Sequence, residues 1–113
     1  VGDVKGKTAV LVDDMIDTAG TLCAAAQTVL DEGAARVIAC ATHGVFSGPA
    51  YERLAYEQSG IEKILVSDTI PLRPGAPDNI KVLSTAGTFA DSIRRIFTDD
   101  SVSEIFAGEN QLF

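Results

Sequence analysis

No stretch of this sequence reaches the ~18 consecutive apolar residues of a membrane span. A helical span is therefore excluded and no membrane partner is expected. The opening Val1-Gly2-Asp3-Val4-Lys5 has no starting methionine and does not read as a signal peptide. The chain is expected to begin inside a longer protein. Cysteine occurs twice, at Cys23 and Cys40, with no CxxC pair. Both sit in apolar runs and read as small core residues, not a disulfide, which suits a reducing, cytoplasmic setting. Positive charge is scarce: nine Lys and Arg against sixteen Asp and Glu, a formal net charge of −7. Such acidity repels phosphate backbones, so nucleic acid is not an expected partner. A small phosphorylated ligand stays open, because a few oriented backbone N–H groups outweigh a distant field. Internal repeats and low-complexity segments are also missing.

What is present is a chain of 113 residues, 46% hydrophobic, enough for one globular domain with a modest core. Residues 8–12 form an apolar, partly β-branched run that reads as a buried strand ending at Asp13-Asp14. A polar segment over 15–20 precedes a helix over 21–32, with an apolar stripe of Leu22, Ala25, Ala26, Val29 and Leu30 and a stop at Gly33. Further strands are expected over 36–42, 63–67 and 80–83. One helix is expected over 48–58, with Pro49 in its first turn, Ser47 or Gly48 as cap and Gly60 as its end. Another is expected over 88–97, burying Phe89, Ala90, Ile93, Ile96 and Phe97. Alternation of apolar strands with helices predicts an α/β fold: a parallel sheet covered by helices on both faces. Ligands in such sheets sit at the carboxyl ends of the strands, so the loops after Val12, Thr42 and Ser67 should share one functional edge.

The most informative segment is Val10-Leu11-Val12-Asp13-Asp14-Met15-Ile16-Asp17-Thr18-Ala19-Gly20-Thr21. A strand delivers two adjacent carboxylates, and small residues and hydroxyls then turn the chain into a helix. N–H groups at a helix start point outward with the positive end of the dipole. Gly20 permits close approach of an anion, and Thr18 and Thr21 add hydroxyl donors. Asp13 and Asp14 would repel a phosphate but suit vicinal hydroxyls or a nearby metal ion. Phosphate at one end and a diol at the other describe a ribose phosphate. Asp17 is awkward beside a phosphate and reads as an N-cap or Asx turn. Ordinary capping explains one hydroxyl or carboxylate, but not three acids, two Thr and a Gly within nine residues.

Val12 to Thr21 resembles the ribose-phosphate loop of the phosphoribosyltransferase fold. Val1-Gly2-Asp3-Val4, Ala41-Thr42-His43-Gly44-Val45-Phe46-Ser47-Gly48-Pro49-Ala50, Ser67-Asp68-Thr69-Ile70-Pro71, Ile93-Arg94-Arg95 and Ser101-Val102-Ser103-Glu104-Ile105-Phe106 narrow that likeness. They resemble the C-terminal part of the ribose-phosphate pyrophosphokinases, or phosphoribosyl pyrophosphate synthetases, and do so in order. The resemblance implies a partial phosphoribosyltransferase-like domain over residues 1–106 and a tail over 107–113. It implies Mg2+-dependent transfer of the diphosphoryl group of ATP to the 1-hydroxyl of ribose 5-phosphate, giving phosphoribosyl pyrophosphate and AMP. Asp13, Asp14, Asp17, Thr18, Ala19, Gly20 and Thr21 would bind ribose 5-phosphate. Ser101 and Ser103 would belong to an allosteric site for phosphate and ADP, although alternation of hydroxyl and apolar residues alone favours a short edge strand with its serines in water. The resemblance also implies a homo-oligomer, with a hexamer as one form.

In the family, the basic catalytic loop, most ATP contacts and a metal-binding His and Asp come from earlier sequence. No segment here matches them, so no catalytic residue and no metal ligand is assigned. The chain alone is expected to make no phosphoribosyl pyrophosphate. Other readings are a non-catalytic paralogue that assembles with the synthetase, a phosphoribosyltransferase, and a receiver-like Mg2+-binding signalling domain with Asp68 as phospho-acceptor. The receiver reading wants a Lys near Ser84-Thr85-Ala86, and none is there. The single histidine, His43, reads as structural or as a subunit contact. Arg94 and Arg95 read as an exposed helix face.

Overall fold

The computed structural model describes residues 2–106; the tail expected over 107–113 lies outside the described residues. The chain divides between Leu83 and Ser84 into two compact units. The first contains β1 (Thr8–Ile16), α1 (Gly20–Asp31), β2 (Arg36–Gly44), α2 (Ala50–Leu54), α3 (Tyr56–Ser59), β3 (Ile61–Ser67) and β4 (Ile80–Leu83). The four strands form one sheet in the order β1-β2-β3-β4, and every pair is parallel. All carboxyl ends therefore share an edge, as expected. A receiver-type order would instead place β1 between β2 and β3.

The order never reverses, and crossovers between parallel strands are right-handed. Successive crossovers then fall on one face. Accordingly α1 packs on β1, β2, α2 and α3. On this face Val37, Ala39, Ala41, Ile64 and Val66 are buried together with Ala26, Phe46 and Leu54. The expected cover on both faces is thus one-sided within this unit: Val10 is 55% and Val12 78% exposed.

β1 runs four residues past the expected Val12, because β2 also continues to Gly44 and the ladder pairs Asp13 with Ala41, Met15 with His43 and Ile16 with Gly44. The helix expected over 48–58 is broken at Ala55, whose ψ of 136° is extended. Tertiary hydrogen bonds support the break. The Leu54 carbonyl accepts from Ser59 Oγ at 3.2 Å and Asn79 Nδ2 at 2.8 Å, partners that replace the lost helical bond. Buried Ser59 also accepts the Ile61 N–H at 3.1 Å, which leads the chain into β3. Arg36 and Glu62 clamp the starts of β2 and β3 through bonds of 2.6 and 2.5 Å. These bonds hold the Glu62 carboxyl below its ordinary range. The clamp acts above the ordinary Glu pKa and is lost as pH falls through the lowered value.

The second unit holds α4 (Ala86–Phe97) and a 3-10 turn, Val102–Phe106. The short edge strand that alternation alone favours over Ser101 to Phe106 is replaced by this turn. The Arg95 guanidinium donates to the Ser101 carbonyl at 2.9 Å and to Glu104 at 2.8 Å, which curls the segment back along the helix. The expected burial of Phe89, Ile93, Ile96 and Phe97 is not found; they are 59 to 90% exposed, and Ala90 is exposed too. The residues of this short unit are too few to cover an apolar stripe of that width.

Gly60 ends α3 with φ of +66°, and a Cβ there would lie 2.7 Å from Leu30 Cδ1 of α1. Left-handed backbone costs a non-glycine residue ~1–2 kcal/mol before any clash. Gly60→Ala should therefore lower stability by about 1–3 kcal/mol in urea unfolding, with an unchanged m-value. A loss within about 0.5 kcal/mol would mean that the turn and Leu30 yield freely.

Candidate functional site

β1 carries Asp13 and Asp14 to the carboxyl edge of the sheet, and both are exposed. Asp13 Oδ1 accepts the Asp14 N–H at 2.8 Å. Six of the seven predicted binding residues, Asp13, Asp17, Thr18, Ala19, Gly20 and Thr21, line one cavity of about 240 Å³. Asp14 is not on that wall. Successive strand side chains leave on opposite faces, so extending β1 through Ile16 separates the two carboxylates.

The turn into α1 is made by Ala19, which is 5% exposed and left-handed at φ 65°. It is the N-cap residue, and no side chain caps the helix. The capping role expected of Asp17 is therefore absent. The first-turn N–H groups keep the outward orientation that an anion uses. From α2, Arg53 Nη1 donates to the Thr18 carbonyl at 3.0 Å. The Cys23 thiol in turn approaches the Arg53 carbonyl at 3.5 Å, joining α1 to α2.

Neighbouring loops are tied to the same edge. The Ile16 carbonyl accepts the N–H groups of Val45 and Phe46, each at 3.0 Å. Arg73 donates to the Phe46 carbonyl and lies 5.3 Å from the Tyr51 ring centroid. Ser67 Oγ and Thr69 Oγ1 both donate to the Thr42 carbonyl, and His43 Nδ1 meets Thr69 Oγ1 at 2.8 Å. This bond ties the end of β2 to the loop after β3. Arg53, Arg73 and Thr69 were not singled out from the sequence, since each acts across the fold through a backbone carbonyl and leaves no local pattern.

In the second unit, the hydroxyls of Ser101 and Ser103 are hydrogen-bonded at 2.7 Å. Arg95 binds the Ser101 carbonyl, so a cation lies beside them, and Arg94 pairs with Asp91 at 2.8 Å. Among the described residues, no group of three or more His, Cys, Asp or Glu gathers as a metal site.

Over residues 1–107 the sequence matches the phosphoribosyl synthetase-associated domain. The chain belongs to that family. It is 56% identical over 107 residues to the ribose-phosphate pyrophosphokinase of Caldanaerobacter subterraneus subsp. tengcongensis, covering 94% of this chain and 33% of that protein. It is 54% identical over 110 residues to the one from Clostridium acetobutylicum, covering 96% and 34%. The crystal structure of phosphoribosylpyrophosphate synthetase from Mycobacterium smegmatis superposes with a TM-score of 0.82 at 45% identity, over 88% of this chain and 33% of that one. The chain therefore spans about a third of the length of the curated relatives it matches. The phosphoribosyltransferase-type fold expected from the loop is borne out.

Burial pushes the Cys23 thiol up from its ordinary value, and the Arg53 charge offsets only part of this. Thiolate is the reactive form, so Cys23 should alkylate more slowly than a free thiol near neutral pH and at the ordinary rate once unfolded. Iodoacetamide labelling resolved by peptide mass spectrometry checks this. Equal rates in folded and unfolded protein would contradict the burial effect.

Proposed function

We propose that this chain supplies the ribose 5-phosphate site of a ribose-phosphate diphosphokinase. In the whole protein, the diphosphoryl group of ATP passes to the 1-hydroxyl of ribose 5-phosphate, giving phosphoribosyl pyrophosphate and AMP. The observation that carries this reading is the cavity formed by Asp13 and the turn from Asp17 to Thr21, at the carboxyl edge of a parallel sheet. The names of the relatives support the same chemistry.

In this reading the uncapped N–H groups around Gly20 and the Thr18 and Thr21 hydroxyls receive the 5-phosphate. Asp13, from the cavity wall, and Asp14, from the other side of the strand, accept hydrogen bonds from different ribose hydroxyls. Such sites act by positioning and charge stabilisation, with little covalent work for the protein. Magnesium fits as a partner of the substrates. It is commonly held by one or two carboxylates together with substrate phosphates, so the exposed Asp13 on the cavity wall would be the protein ligand nearest to it. When bound, it would neutralise phosphate charge. The groups that activate the transferred diphosphoryl and most ATP contacts are assigned to the rest of the protein, and the whole protein is proposed to be a cytoplasmic homo-oligomer.

Asp14→Asn in the full-length protein should weaken ribose 5-phosphate binding, since a charge-assisted hydrogen bond contributes ~1.5–3 kcal/mol. Gly20→Val should weaken it at least as much, because the added carbons crowd the turn beside Arg53 Nη1, 3.4 Å from a Cβ at this position. Ribose 5-phosphate titrations check both. Unchanged affinity in the two variants would remove the sugar-phosphate assignment.

The Ser101 and Ser103 hydroxyls, with Arg95 beside them, are proposed as part of a separate regulatory anion site for phosphate or ADP. The double variant Ser101→Ala, Ser103→Ala should blunt effector responses of the full-length enzyme and leave effector-free ribose 5-phosphate affinity nearly intact. Responses equal to wild type would reduce the pair to a structural element of the turn.

A further inference from the structure

We propose that Arg53 is a positioning residue for the sugar-phosphate turn, acting on the backbone and not on the ligand. The inference rests on the sugar-phosphate reading above. In a trans peptide, the C=O and N–H point in opposite directions. Arg53 Nη1 holds the Thr18 carbonyl at 3.0 Å, so the N–H of the following Ala19 is directed away from Arg53. Arg53 lines a different cavity, of about 600 Å³, with Cys23, Pro49 and Glu52, and Gly20 alone lines both. The guanidinium thus stands behind the turn, and the ligand cavity lies on the other side.

That peptide needs such a hold. Ala19 is left-handed at φ 65° without being glycine, a conformation that persists only where its surroundings enforce it. Its helix has no side-chain cap that could fix the turn instead. Rotation of the Thr18–Ala19 peptide would swing a carbonyl oxygen toward the cavity and take an N–H donor out of it. A phosphate would then meet a partial negative charge where it needs a donor. Arg53 is itself well anchored. Its N–H donates to the Pro49 carbonyl at 3.0 Å, and its carbonyl faces the Cys23 thiol. Its charge also lies against a turn whose own ionisable residue is Asp17.

The test is steady-state kinetics of the full-length protein. Arg53→Ala should raise KM for ribose 5-phosphate on the order of tenfold or more and leave KM for ATP within about twofold. Guanidinium ion should restore the lost affinity without a matching gain in Tm, and Arg53→Lys should lie between Arg53→Ala and wild type. Equal ribose 5-phosphate KM in Arg53→Ala and wild type would overturn the inference while the sugar-phosphate reading stands. A parallel rise in both KM values would reduce Arg53 to a structural residue and overturn it too. Should Arg53→Ala fail to fold, the same split decides in Arg53→Lys: a selective ribose 5-phosphate defect supports the inference, and no selectivity sinks it. Wild type that does not bind ribose 5-phosphate would instead remove the underlying reading.

Discussion

At the carboxyl end of β1, the Ile16 carbonyl accepts the N–H groups of both Val45 and Phe46. Ile16 is 3% and Phe46 1% exposed, so the acceptor and one of its two donors belong to buried residues, where backbone groups need a protein partner. The shared acceptor forces the chain after β2 to fold back over the end of β1. Phe46 takes a left-handed φ of 50° to do so, and its ring occupies the space beside Gly44. From there the arrangement spreads: Arg73 closes on the Phe46 carbonyl, the Tyr51 hydroxyl exchanges hydrogen bonds with the Arg73 backbone, and α2 is placed where Arg53 reaches Thr18. The geometry of the Asp17–Thr21 turn therefore depends on residues some thirty positions downstream. The turn is short, and it is held from outside by Arg53 of α2 and by the loop fastened to the end of its strand.

This dependence explains what could be read in the sequence. Strand cores such as Val37, Ala39 and Ala41, and the α1 stripe through Ala26, follow from apolar periodicity and were legible. So was the acidic turn, because its chemistry sits on consecutive residues. The extension of β1 through Asp13 to Ile16 was not, since two carboxylates look like a strand's end and only the ladder to β2 keeps them extended. The break at Ala55 has no local Gly or Pro to announce it, and it rests on Ser59 and Asn79 reaching the Leu54 carbonyl. The 3-10 turn after α4 replaces the alternation of Ser101 to Phe106 because Arg95 binds the Ser101 carbonyl just before it and the Glu104 carboxylate within it. In each case a hydrogen bond from outside the segment overrode a local preference, and single-residue patterns do not encode such bonds.

One-sided cover of the sheet by the helices of its own unit has a related cause. A strand order that never reverses puts α1, α2 and α3 on the same face, whatever the sequence between them. The alternation along β1, with Ala9 and Leu11 half-buried and Val10 and Val12 exposed, follows that geometry. Periodicity told correctly that the strands are apolar on both sides. It carried no information about strand order, and strand order decides which side these helices occupy.

How an acidic chain would accept a phosphate then becomes a question of orientation more than of net charge. Asp17 is exposed, where two unit charges ~4 Å apart interact by about 1 kcal/mol in water. A charge-assisted hydrogen bond from an oriented N–H contributes ~1.5–3 kcal/mol, so two or three such donors outweigh the carboxylate. That balance holds only while the donors point inward. A single reversed peptide exchanges a donor for an acceptor and changes both terms at once. The turn has little of its own to prevent this: no side-chain cap and a left-handed alanine at its apex. The restraint must come from outside the segment, and a guanidinium on the Thr18 carbonyl supplies it from the side away from the proposed ligand. In this arrangement the positive charge need not touch the phosphate, because its effect is delivered through the direction of the backbone dipoles.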